Sequence, residues 1–182
     1  TPEDAVRYYR DWANRYDQDF ARDMAYLSPE AVSELYANLG GQGPVLDVGA
    51  GTGLRAEARA RRGIGPLDGI DISEAMLGVA AGKGLYRQTF VADLTKPLAL
   101  PDGTYAGCVS SGTFTRGHVG PEAFGELLRV TRPGGLFVLT VHEAVYEAGG
   151  FADALARLSS QIEGFATAPI AIYGAAATGE HA

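Results

Sequence analysis

The sequence predicts an α/β fold: a doubly wound, mostly parallel sheet with helices on both faces, preceded by a helical cap. Three observations predict it. The apolar period changes from helical to strand-like after Gly40-Gly41, and short apolar strands then alternate with helical segments. The first of those strands runs into a turn with three glycines at alternate positions, VLDVGAGTG at 45–53. Such alternation implies parallel strands joined by right-handed crossovers, with both sheet faces covered.

Each element has its own signal. Ala5, Tyr9, Trp12, Tyr16 and Phe20 recur at three- and four-residue steps and mark one face of an opening helix. Ser28-Pro29-Glu30 reads as an N-cap, a first-turn proline and an early acid, so a second helix runs through AVSELYANL and stops at Gly40-Gly41. PVLDV is a short buried strand, GTGLRAEARARRG a helix, LDGIDIS a strand, SEAMLGVAAGKG a helix, and YRQTFVADL and YAGCVSSGTF two more strands. PEAFGELLRVT forms a helix ended by Arg132-Pro133-Gly134-Gly135, and GLFVLTVHE is the most apolar strand. GFADALARLSSQIEG reads as helix, and FATAPIAIYG as a proline-interrupted edge strand. Residues 1–40 form the cap and 41–182 the main domain, the two making one globular unit.

Composition narrows the function. Fifteen Lys and Arg against 22 Asp and Glu give a formal net charge of −7, a field that repels a nucleic-acid backbone. The single cysteine, Cys108, sits in an apolar run and reads as a small buried hydrophobe in a reducing compartment. No apolar stretch approaches the roughly 20 residues that span a bilayer, so the expected location is cytoplasmic, with no membrane partner. No His, Cys or acid cluster has metal-ligand spacing.

In a doubly wound sheet a ligand binds outside the carboxyl ends of the strands, where the strand order reverses. Gly49, Gly51 and Gly53 fall in that turn, where side chains would keep a ligand from the main chain. The dinucleotide pattern G-x-G-x-x-G needs a third glycine at position 54, which is Leu54.

VLDVGAGTG, an apolar strand carrying an acid followed by G-x-G-x-G, resembles the first motif of the class I S-adenosylmethionine-dependent methyltransferases, whose fold is Rossmann-like. Further motifs follow in order over roughly residues 40 to 145: LDGIDIS with Asp71, SEAML, VADL with Asp93, VSSGTF, and LLRVTRPGGLFVLT. YYRDWANRYDQDF, GLYRQ and ELLRVTRPGG are most similar to the methyltransferase-like family named for the Williams–Beuren syndrome region. The resemblance implies that S-adenosylmethionine is the cofactor and S-adenosylhomocysteine the product. It assigns the methionine end to Asp47 and the loop Gly49, Ala50, Gly51, Thr52 and Gly53, the ribose diol to Asp71, the adenine to Ile72, Met76, Asp93 and Leu94, and a further contact to Ser110. A vicinal diol suits the two acceptor oxygens of a carboxylate. The family's sheet ends in an antiparallel hairpin, and only one late segment here reads as a strand.

Methyl transfer from a sulfonium is an in-line displacement, so positioning supplies most of the catalysis and a base is needed only where the acceptor loses a proton. The candidates near the strand ends are Thr113, Thr115 and His118 after the fourth strand, and His142 with Glu143 after the fifth. Tyr8, Tyr9, Trp12 and Tyr16 could close over the sulfonium as aromatic faces, with Tyr16 the candidate for pocket contact. The expected function is methyl transfer to a small-molecule acceptor. A non-catalytic cofactor-binding regulator and a nicotinamide-dependent oxidoreductase are the alternatives.

Overall fold

A computed structural model describes residues 26–173. The opening helix expected from Tyr8, Tyr9, Trp12 and Tyr16 lies outside the described residues. In chain order the elements are α1 (Ser28–Asn38), β1 (Val45–Val48), α2 (Leu54–Ala60), β2 (Leu67–Asp71), α3 (Glu74–Gly82), β3 (Gln88–Val91), β4 (Tyr105–Phe114), α4 (Ala123–Val130), β5 (Thr131–Val141), α5 (Glu143–Tyr146) and α6 (Phe151–Arg157). The strands form one parallel sheet in the order β3-β2-β1-β4-β5. Strand order therefore reverses between β1 and β4, and the β1–α2 turn sits at the reversal.

Burial on both faces explains why the central strands read as continuous apolar runs. Successive side chains of β1 go to opposite faces. Leu46 and Val48 join Ile70, Cys108, Phe124, Leu127 and Phe151 under α4 and α6. Val45 joins Val32, Tyr36, Ala56, Leu67 and Val109 under α1 and α2. Cys108 is fully buried, 3.3 Å from Thr131 Oγ1, and burial raises its thiol pKa to about 12. Phe114, Phe124 and Phe151 meet edge to face with centroids 5.4–5.9 Å apart, and they support the carboxyl end of β4.

Four local expectations are corrected. Ser28 is the first residue of α1, and Leu27, which offers no side-chain cap, takes the N-cap position. The RPGG stretch is not a turn after α4: Thr131 already belongs to β5, and Arg132–Gly135 form a bulge, since Tyr105 pairs with Thr131 and Gly107 with Leu136. The segment after Gly149 is helical only over Phe151–Arg157, with α5 as a separate turn before it. Over its described residues, 165–173, FATAPIAIYG forms no regular strand. Its end makes one antiparallel bridge, Tyr173 with Tyr26, together with a Leu27 N–H bond to Ile172 O of 2.9 Å. Pro169 has no N–H for a ladder, and Phe165, Ile170 and Ile172 remain exposed.

Away from the sheet ends, Arg129 ties α4 to the β3–β4 connection. It bonds Glu126 Oε1 and Oε2 at 2.9 and 2.7 Å and reaches Leu98 O, Leu100 O and Asp102. Those hydrogen bonds and the Leu98 N–H pull the Glu126 pKa from 4.5 down to about 2. A depressed carboxylate stabilises the fold above its unfolded pKa and loses that contribution as pH falls through its folded one. Glu126→Gln should therefore lower the unfolding temperature at neutral pH, with the gap to wild type closing between pH 4.5 and 2 in parallel thermal melts.

Candidate functional site

The carboxyl ends of β1, β2, β3 and β4 open onto one cleft. Gly49 and Gly51 line it from the β1–α2 turn, Asp71, Ile72 and Met76 from β2 and α3, and Ala92–Thr95 from the end of β3. Ser111, Gly112 and Thr113 line it from β4, and Gly117–Val119 from the loop that follows. The β4 wall arises from an irregularity. Ser110 pairs with Leu139 but Phe114 with Val141, so Ser111–Thr113 bulge out of the ladder, with Gly112 at φ +76°.

The three loop glycines all have positive φ but face different neighbours. A Cβ on Gly51 would meet nothing within 4 Å, so that position faces open cleft. A Cβ on Gly49 would lie 2.0 Å from Thr113 Oγ1, and one on Gly53 would press on Tyr86 and Ala80. Gly49 thus permits the β1–β4 contact, Gly53 permits helix packing, and Gly51 leaves backbone bare to the cleft. Ala50 and Thr52 are buried and do not line it.

Asp71 is held for its place in the cleft. Its Oδ2 accepts the Gly51 N–H and its Oδ1 the Ser73 N–H, each at 2.9 Å, while Ser73 Oγ caps α3 through Met76 N–H. Burial raises the Asp71 pKa above the ordinary 3.8, opposed by those two N–H groups. Each carboxylate oxygen keeps further acceptor capacity for a ligand hydroxyl. Asp93 lines the cleft and also closes a turn, its Oδ1 accepting from Thr95 N–H at 2.9 Å and Thr95 Oγ1 at 2.7 Å. Ile72, Met76, Ala92 and Leu94 add an apolar slot between the two acids. A half-buried carboxylate with spare acceptor capacity, an apolar slot and a bare-backbone corner on one cleft fit an adenosyl ligand.

Other expected residues stand elsewhere. Asp47 has no exposed surface and does not line the cleft. Period-two alternation turns it from Leu46 and Val48 toward α2, where Arg55 Nε donates to its Oδ1 and Tyr86 OH to its Oδ2 at 2.5 Å. Ser110 is also sealed below the cleft, its Oγ 2.8 Å from Val48 O and 2.9 Å from Thr113 Oγ1; its neighbour Ser111 holds the cleft position. His142 caps α5, its Nδ1 accepting the Ala144 N–H at 3.1 Å, and with Glu143 and Thr115 it stays outside the lining. His118 does line the cleft, with Nδ1 3.2 Å from Arg116 O. In the tautomer that donates Nδ1–H to that carbonyl, Nε2 is the basic nitrogen. Tyr16 lies outside the described residues.

Sequence reasoning missed Arg55, which is 4% exposed. Nη1 bonds Ser111 O at 2.7 Å and Ser111 Oγ at 2.6 Å; Nη2 bonds Val48 O at 3.1 Å and also Gly49 O. Burial opposes its charge, but Asp47 and Tyr86 outweigh that and raise its pKa. Burial, then the Asp47 charge, lifts the Tyr86 pKa well above the ordinary value, so it donates as a neutral phenol. The available signal was a basic residue two positions after the last loop glycine, on a helix of mixed face.

With this geometry stand the similarities to known proteins. Residues 46–139 match the family described as methyltransferase domain, and the chain belongs to that family, whose methyltransferases use S-adenosylmethionine. The chain is 39% identical over 140 residues to Methyltransferase-like protein 27 of Homo sapiens, covering 74% of this chain and 56% of that protein. It is 31% identical over 121 residues to Malonyl-[acyl-carrier protein] O-methyltransferase of Serratia marcescens, covering 65% and 47%. The chain therefore spans about half the length of these relatives. A crystal structure from Methanococcus maripaludis, described there as a candidate S-adenosyl-L-methionine-dependent methyltransferase, shares the fold: its TM-score is 0.62 at 21% identity, over 84% of this chain and 71% of that one.

Gly49 and Gly51 separate folding from binding. Gly49→Ala should lower the unfolding temperature through its collision with Thr113. Gly51→Ala should lose most affinity for S-adenosylhomocysteine, costing stability only the roughly 1–3 kcal/mol of a left-handed alanine. Scanning calorimetry and binding titration of both variants check this, and the reverse ordering would refute it.

Proposed function

We propose that this chain is an S-adenosylmethionine-dependent methyltransferase domain acting on a small-molecule acceptor by in-line transfer. One observation carries the reading: the Asp71 carboxylate, anchored by Gly51 and Ser73 N–H groups, faces a cleft with an apolar slot beside it. In this reading Asp71 takes both ribose hydroxyls, and Ile72, Met76 and Leu94 pack on the adenine, with Asp93 at its polar edge. Gly49 and Gly51 admit the methionine end to the main chain.

When bound, S-adenosylmethionine supplies a methyl group on a sulfonium, an electrophile needing no activation. The chain's task is then to hold an acceptor on the S–CH3 axis and keep water away. The acceptor approaches past the β4 bulge, between Ser111–Thr113 and His118. Where it carries a proton, His118 Nε2 receives it. The absence of a transferable proton would leave His118 only a wall of the pocket. The net charge of −7 supports an acceptor other than nucleic acid.

Titration should show binding of S-adenosylhomocysteine and none of NAD. Asp71→Ala should cost about 1–3 kcal/mol of that affinity, the loss expected for unpaired ribose hydroxyls. Because burial raises the Asp71 pKa, affinity should fall on acidification at a pH above that of an ordinary aspartate, as the carboxyl gains a proton and loses an acceptor site. A pH series on wild type and Asp71→Asn checks this: the asparagine variant should bind weakly with no such inflection. With an acceptor that loses a proton, His118→Gln should lower kcat by roughly 10²- to 10⁴-fold and leave S-adenosylhomocysteine affinity unchanged. Unchanged turnover would remove His118 from the chemistry.

A further inference from the structure

The hydroxyl side chains in the described lining of the cleft are Thr95, Ser111 and Thr113. Two of them place their protons within the protein: Thr95 Oγ1 donates to Asp93 Oδ1 at 2.7 Å, and Thr113 Oγ1 to Val48 O at 3.0 Å. Ser111 differs. Its Oγ accepts from Arg55 Nη1 at 2.6 Å and its carbonyl from the same nitrogen at 2.7 Å, but its own O–H has no acceptor among the described residues. The residue is only 6% exposed, so bulk water is a poor substitute for a partner. The β4 bulge sets it in the cleft wall on the side of His118.

An O–H whose oxygen already accepts from a cation is a stronger donor, because each hydrogen bond in a chain polarises the next. A second donor brought to Ser111 Oγ would stand beside the guanidinium, whereas a lone pair brought to its proton completes the chain. The acids of the described lining, Asp71 and Asp93, come from the ends of β2 and β3. The polar side chains of the wall made by β4 and its following loop are Ser111, Thr113 and His118, and the Thr113 proton is already committed.

We infer that Ser111 holds the reacting atom of the acceptor, and that this atom is oxygen. The inference rests on the proposed methyltransferase reading and names its substrate class. An oxygen nucleophile has a lone pair to attack the methyl carbon and another to accept the Ser111 O–H. An amine nitrogen has a single lone pair, which the attack consumes, and sulfur is a weak acceptor. In the step, an O–CH3 bond forms as the S–CH3 bond breaks with its electron pair staying on sulfur, which gives S-adenosylhomocysteine. The proton of a hydroxyl acceptor goes to His118 Nε2, and Ser111 steadies the oxygen as negative charge gathers on it. Ser111 touches the acceptor and is a catalytic residue, whereas Arg55 is a positioning residue that acts through it.

The test supplies the wild-type chain with S-adenosylmethionine carrying an isotope-labelled methyl carbon. The acceptors are a phenol, the matching thiophenol, aniline and benzoic acid, and the small-molecule fraction of a cell extract. Products are read by NMR, which separates methyl carbons on oxygen, nitrogen and sulfur. Product methylated on oxygen is expected. Methylation on nitrogen or sulfur alone, or no product from a chain that binds S-adenosylhomocysteine, would overturn the inference. Ser111→Ala should lower kcat/KM for the oxygen acceptor roughly tenfold to a hundredfold, the loss for one charge-assisted hydrogen bond, and leave S-adenosylhomocysteine affinity unchanged. Ser111→Thr keeps the hydroxyl and should recover most of the rate. Full activity in Ser111→Ala, or an equal loss of S-adenosylhomocysteine affinity, would also overturn it. The linkage of the wild-type product decides alone should either variant fail to fold. Failure of S-adenosylhomocysteine to bind would remove the cofactor reading along with the inference, whereas tight binding with a nitrogen-linked product would remove only the role given to Ser111.

Discussion

The rim of the sheet depends on one buried ion pair. Asp47 stands on the central strand with no exposed surface, and its charge is tolerable there only because Arg55 and Tyr86 supply hydrogen bonds in place of water. Such a pair adds little net stability over an apolar substitute, but removal of one partner is costly, about 3–5 kcal/mol, because a bare charge stays behind. The gain is in specification. The same guanidinium that neutralises Asp47 also reaches the carbonyls of Val48, at the end of β1, and Gly49, in the turn, and both oxygens of Ser111, so β1, its turn and β4 hold one relative position.

That clamp explains the division of labour among the small residues above it. Gly49 lets Thr113 close against the turn, Gly53 lets α2 approach Tyr86, and Gly51 has open cleft where its side chain would stand. Only Gly51 also shares a hydrogen bond with Asp71, so the β1 turn and the end of β2 are locked to each other as well. These bonds fix the β1 turn, the end of β2 and the β4 bulge relative to one another around the cleft.

The legible parts of this architecture were those written in local spacing. Strand and helix alternation, the glycine turn and Asp71 at the end of an apolar strand all follow from neighbours along the chain, and Asp71, Ile72, Met76, Asp93 and Leu94 do meet in one cleft. Asp47 was harder to place, because which way a strand residue faces depends on which helix covers it. Arg55 and Tyr86 were missed for a related reason: their partners lie 8 and 39 residues away, and the basic residue after the glycine turn signals a cation there without saying which acid it meets. His142 looked like His118 in sequence, yet one caps a short helix and the other lines the cleft, a difference set by where α5 begins. FATAPIAIYG had the composition of a strand, but Pro169 breaks its donor pattern and only its last residues pair, with the stretch before α1.

The β4 irregularity places Ser111–Thr113 and the following Gly117–Val119 on one side of the cleft, while every acid and the apolar slot come from β2, α3 and the end of β3. Under the proposed function, two chemically distinct tasks would fall to two separate stretches of chain. Under the proposed activity, evolution could rewrite the short β4 stretch to change what is modified and leave the nucleoside grip untouched, a modularity that the bulge confers by taking those residues out of the ladder.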